Sequence, residues 1–179
     1  QETRIDPSVS NIVDVYMLER TYDNLYRIWL QDGGVKPDAS TSDQLRISYS
    51  ATLDKLKSLS DQVVYHPVKY RILFGSNADE ELQATFKVVK NTKTNVTDAV
   101  IRTRVIAAIN EFFALDNWDF GDSFYYTELA AYIHNQLAPD LLTAVIVPNQ
   151  SGQTFGSLFQ INSAADEIFI SGATVDDVS

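Results

Sequence analysis

The chain has 179 residues, 45% of them apolar and 11% aromatic, which is enough to build a real core in one domain or two small ones and too much for a disordered chain. It contains no cysteine, so disulfides, thiolate metal ligands and cysteine nucleophiles are excluded, which fits a reducing compartment, and no apolar run approaches the ~20 residues of a membrane span. The net charge of −10 is one-sided: residues 1–104 hold fourteen acids and fourteen bases, whereas 105–179 hold ten acids and no Lys or Arg, so the C-terminal half repels phosphate-rich ligands and attracts basic surfaces.

Asn11–Leu18 is apolar and β-branched and reads as a strand. Thr21–Leu30 places Tyr22, Leu25, Tyr26 and Trp29 at i, i+3, i+4, i+7, the stripe of an amphipathic helix, stopped by Asp32-Gly33-Gly34. A second helix is expected to open near Ser40–Ser42 and to bury Leu45, Tyr49, Leu53 and Leu56, with Lys55, Lys57 and Asp61 on or beyond its wet side. From Pro67 to Gly75 the chain reads as a strand, and Leu82–Lys90 alternates with period two. With Asn77-Ala78-Asp79 between them, 67–90 is expected to form an antiparallel hairpin with a long loop. A helix over about Val96–Leu115 follows, with Asn95 or Thr97 as its cap and Ile101, Val105, Ala108, Ile109 and Phe112 as its apolar face. After a loop at Asp116–Ser123 comes a shorter helix near Thr127–Leu137, with Leu129, Ile133 and Leu137 in register. Thr143–Val147, Ser157–Ile161 and Glu167–Ser171 read as three closing strands. This order defines an α+β class: a helical N-terminal lobe with one strand over 1–62, and over 63–179 a small mixed or antiparallel sheet with two helices packed on it, one continuous domain being the alternative. The start at Gln1 and the end just after a strand-like run read as a fragment of a longer protein.

No enzymatic signature stands out. His66 and His134 lack partners at metal-ligand spacing, and HExxH, GxSxG, GxxxxGK[ST] and GxGxxG are absent. Asp119-Phe120-Gly121 spells the magnesium-binding tripeptide of kinases, but the glycine loop, paired lysine and catalytic loop that give it meaning are missing. Sequons occur at Asn95 and Asn149; such triplets arise often by chance, and the first is better explained as a helix cap. No basic cluster is interleaved with aromatics, so nucleic acid is not expected as a partner. The chemistry that remains open is acidic. Asp119, Asp122 and Glu128 bracket a loop with Trp118, Phe120, Phe124, Tyr125 and Tyr126, and two carboxylates among aromatics are how many sugar-acting and sugar-binding sites look. Calcium is a further use for such oxygens, without the EF-hand spacing; the plain structural use is helix and turn capping.

Ile5–Tyr16 (IDPSVSNIVDVY), Tyr65–Gly75 (YHPVKYRILFG) and Phe120–Tyr126 (FGDSFYY) together resemble the C-terminal part of the baseplate wedge subunit of contractile-tailed phages, the gene-product-six type within the baseplate J-like group. The resemblance spans most of the chain, and the second segment is its most specific piece. It implies a structural, non-enzymatic virion protein of the tail baseplate, assembled in the host cytoplasm. Such a subunit associates with itself as a dimer or ring and with other wedge or hub proteins, joining neighbouring wedges around the tail hub. It implies no cofactor, no metal and no catalytic residue.

Under that reading Trp29, Trp118, Tyr125 and Tyr126 are the interface candidates, because Tyr and Trp supply large anchor area, although each could equally be core. The charge split then places self-association mainly in 1–104 plus the helix starting near Val96, leaving the acidic face of 105–179 to a more basic partner. The alternative is a carbohydrate-binding or carbohydrate-acting module built on Asp119 and Asp122.

Overall fold

The computed structural model describes residues 12–53, 62–149 and 160–179. The fold is α+β, in two compact units: Gln1–Leu25 with Pro37–Val68, and Tyr26–Lys36 with Lys69–Ser179. The Leu56, Lys55, Lys57 and Asp61 positions expected on the second helix lie outside the described residues, as does most of the Ser157–Ile161 strand.

In the first unit, strand β1 (Ile12–Met17) pairs in parallel with β2 (Gln62–Pro67), from Ile12 opposite Gln62 to Met17 opposite Pro67. Helix α2 (Ser42–Tyr49) starts where the sequence places it. The Thr41 side chain accepts from the Gln44 amide at 3.3 Å, and the Gln44 side chain accepts from the Thr41 amide at 2.8 Å, a reciprocal capping box that satisfies two otherwise orphaned donors. Only Leu45 of this short helix is fully buried. Glu19 ties the unit together: its carboxylate accepts from the Tyr49 hydroxyl at 2.9 Å and from the Ser40 hydroxyl.

Helix α1 (Arg20–Asp32) shows a shifted face. Asp23, Tyr26 and Leu30 are buried, while Leu25, expected inside, is exposed with Ile28. A stripe of 3.6-residue period leaves open which of two adjacent rows turns inward, and here the Asp23–Tyr26–Leu30 row does. Within the second unit, the Arg27 guanidinium donates to the Phe113 carbonyl and the Gln31 amide to the Ala173 carbonyl, each at 3.0 Å.

The second unit holds the main core. The expected 67–90 hairpin does not form. Strand β3 (Lys69–Leu73) pairs in parallel with β8 (Glu167–Ser171), and β4 (Ala84–Lys90) pairs antiparallel with β6 (Leu141–Pro148). Phe74 and Gly75 explain the failure. Both adopt positive φ (64° and 73°), so the chain turns sharply out of β3, and the Gly75 backbone lies against Gly172, where an added Cβ would come within 2.0 Å of the Gly172 carbonyl oxygen. Phe74 tolerates the left-handed region because its side chain is wholly buried, packed edge-on against Phe86 and Phe124. On its other edge, β4 meets the chain's last residues: Val178 bridges Phe86, and the Ser179 amide donates to the Phe86 carbonyl at 2.9 Å.

Helix α3 (Asp98–Phe112) is capped by Thr97, whose hydroxyl accepts from the Val100 amide at 3.3 Å, and buries Ile101, Val105, Ile106, Ala108 and Ile109. A strand not foreseen in the loop before the next helix, β5 (Ser123–Tyr125), pairs antiparallel with β7 (Gln160–Asn162). It runs directly into helix α4 (Tyr126–Leu137), which buries Tyr126, Leu129, Ile133 and Leu137. The described strands thus form four two-stranded pairings, two parallel and two antiparallel.

Candidate functional site

Two surface features of the second unit collect chemistry-bearing side chains. The first is an open depression lined by Phe112, Asn117, Trp118, Asp122, Ser123, Glu128 and Tyr132. Phe112 closes α3, and Asn117 and Trp118 come from the short 3-10 turn after it. Asp122 and Ser123 enter β5, and Glu128 and Tyr132 stand four residues apart on one face of α4. Most donors here are already engaged. The Trp118 indole N–H donates to the Phe112 carbonyl at 2.8 Å, the Asn117 amide to the Glu111 carbonyl at 3.0 Å, and the Ser123 hydroxyl to Asn162 at 2.7 Å. One Asp122 oxygen accepts from the Asp119 amide at 2.8 Å, closing a local turn. The Tyr132 phenol is held above its usual range, first by desolvation and then by the charge of Glu111, to which it also hydrogen-bonds.

The structure distributes the four aromatic interface candidates differently. Tyr126 belongs to the core, 4% exposed, with its phenol pushed well up by burial. Trp118 is half-buried, stacked on Phe113 at 5.4 Å and edge-on to Phe169 at 5.5 Å, with its remaining surface in the depression. Trp29 is half-buried beside Tyr26, and the Lys36 ammonium sits 5.4 Å from its ring centroid. Tyr125, at 39%, is the exposed one. Phe124, counted in the aromatic loop of the sugar reading, is wholly buried and lies beyond the reach of any ligand. Asp122 lines the depression, whereas Asp119 is not part of its lining.

The second feature is a groove between the end of β4 and the start of α3, lined by Val88, Val89, Lys90, Asp98, Ile101, Arg102 and Ser179. Val89 and, nearby on α3, Val100 are about half exposed. The Lys90 ammonium donates to the Asp98 carboxylate at 2.6 Å and to the Val96 carbonyl at 3.1 Å, and this contact holds Asp98 below the usual carboxylate range. Asp140 accepts from the Thr94 hydroxyl at 2.6 Å and from Arg104 at 2.8 Å, and both bonds lower its pKa. Arg104 is the last base of the chain, and its partner is an acid of the base-free half. Nothing in the linear sequence pairs Thr94 with Asp140; only the fold joins them.

Neither histidine lines the depression or the groove. In the first unit, His66 bonds Asp14 at 2.8 Å and stacks on Tyr16. His134 donates to the Leu142 carbonyl at 3.1 Å. Among the described residues, no group of three or more His, Asp or Glu side chains could hold a metal ion, and no helix is long and apolar enough to cross a membrane. No protein-family model matches the chain, and no curated protein is found to match it.

Proposed function

We propose that this chain is a structural assembly module, corresponding to the C-terminal part of a phage tail baseplate wedge subunit, that associates with copies of itself and joins neighbouring wedges into a ring around the tail hub. The observation that supports self-association is the groove between β4 and α3. It combines the apolar Val88, Val89 and Ile101 with the paired Lys90 and Asp98 and with Arg102. A two-fold contact sets one patch against itself, so a patch carrying both signs is self-complementary, whereas a single-sign patch repels its copy. Apart from Ser179, the groove also falls in the region to which the charge split assigns homotypic contact, 1–104 and the beginning of α3. The outer face of β4 and β6 adds apolar area beside it. Lys87 lies opposite Val145 and Val89 opposite Thr143, and Leu142 is the extra residue at a bulge; Val145 and Leu142 are both more than half exposed.

Sedimentation equilibrium tests this directly. The expected result is a dimer or larger species, which Val89→Glu dissociates while leaving the far-ultraviolet spectrum unchanged. A stable contact of this kind buries about 1,000 Å² or more in total. A monomer at every concentration, or an assembly indifferent to Val89→Glu, would overturn the reading. The carbohydrate alternative has less support, because Phe124 is buried and Asp119, its second carboxylate, does not line the depression.

A further inference from the structure

The depression beside Trp118 shares no lining residue with that groove, and its hydrogen-bond inventory narrows what can occupy it. Trp118 and Ser123 donate to protein acceptors, one of the two Asn117 amide N–H groups donates to the Glu111 carbonyl, and the Tyr132 phenol faces Glu111. Beside the second Asn117 N–H, what remains is mainly acceptor capacity. One Asp122 oxygen is left over after the other takes the Asp119 amide. Glu128 has no hydrogen-bond or ion-pair partner among the described residues. The walls are three aromatic rings, Phe112, Trp118 and Tyr132, with ring centroids 5.5–5.7 Å apart for the pairs Phe112–Tyr132 and Phe112–Trp118. A sugar hydroxyl both donates and accepts, so a site with few open donors leaves half of its hydrogen-bonding capacity unused. A site of free carboxylates and aromatic walls matches a ligand that only donates, carries positive charge and has a flat face. The guanidinium group meets all three conditions, and an ammonium meets the first two. The charge of the surroundings points the same way. No base lines the depression, residues 105–179 contain none, and Glu111 stands behind Tyr132.

We propose that this depression seats an arginine side chain presented by a basic segment of a different protein. The guanidinium packs against the aromatic walls and donates to Glu128 and to the open oxygen of Asp122. This reading is independent of self-association and of the wedge assignment.

The test follows the indole N–H signal of Trp118 in the full chain, with ¹⁵N-labelled tryptophan and Trp29→Phe to separate the two indoles. The probe is the peptide acetyl-Gly-Arg-Gly-Arg-Gly-amide, with citrulline replacing arginine in the control. The expected result is a saturable shift with the arginine peptide that weakens as NaCl is raised, and no saturable shift with citrulline. Glu128→Gln, which keeps shape and removes charge at an exposed position, should weaken binding about tenfold with unchanged thermal stability. Tyr132→Leu should weaken it too. Equal binding of the citrulline peptide, an unaffected Glu128→Gln, or the same saturable shift with maltotetraose would overturn the proposal. So would a Trp118 shift produced by raising protein concentration alone, which would mean that a second copy occupies the seat. Sedimentation reports only self-association and the indole signal only this seat, so the two readings fail separately.

Discussion

In the larger unit, Phe74, Phe86, Phe113, Phe124 and Phe169 are wholly buried, and their rings meet at centroid distances from 4.9 Å (Phe74–Phe86) to 6.4 Å (Phe74–Phe113). Among the described residues of the smaller unit the buried side chains are Leu45, Tyr65, Val68 and the acid Asp23, and much of the described order is polar. There Glu19 bridges Tyr49 and Ser40, His66 bonds Asp14, and Thr41 and Gln44 cap each other. The difference teaches where stability comes from. Area removed from water is non-directional and nearly indifferent to salt, so one unit rests on many small, robust contributions. Exposed hydrogen bonds and ion pairs each contribute little, so the described part of the other unit depends on geometry and solvent conditions.

The comparison breaks most sharply at Phe113. Truncation to Ala removes a ring that touches Phe74, Phe112, Trp118 and Phe124, and is expected to lower stability by about 3–5 kcal/mol in denaturant titrations. A loss below about 1 kcal/mol would mean that the aromatic cluster collapses around the gap, and the contrast drawn above would be wrong. In the smaller unit, Thr41→Ala removes the capping box and should lower stability by about 1 kcal/mol, with hydrogen exchange accelerating in α2.

The smallest effect at neutral pH, and the most diagnostic, concerns Asp140. Its folded-state pKa is lowered by Thr94 and Arg104, so the folded chain binds fewer protons there than the unfolded chain. The stabilisation is therefore complete above the unfolded carboxylate value of ~3.9 and is lost as pH falls through the lower folded value. Asp140→Asn should depress the melting temperature at pH 7, and its difference from the native chain should vanish in strong acid. A difference independent of pH would show that the Arg104 contact contributes shape and no charge.

Much of the local structure was legible. Helices α3 and α4, strands β4, β6 and β8, and the Thr97 cap lie close to where spacing puts them, because period, β-branching and capping chemistry belong to one short segment. The site was legible in part. Trp118, Asp122 and Glu128 do share one depression, but Phe112 and Tyr132 reach it from two helices whose juxtaposition no linear pattern records. Strand β5 was missed because its three residues are too few for a period to show.

The amino-acid order by itself determined the α+β class, most of the element positions and the confinement of every base to residues 1–104. Only the tertiary structure decided that β3 pairs with β8 and not with β4, since a strand's hydrogen-bonding edge carries no mark of its partner and burial across the whole unit selects it. It also decided between Tyr125 and Tyr126. One ends a strand facing water and the next opens a helix facing the core, a reversal over a single residue that composition cannot express.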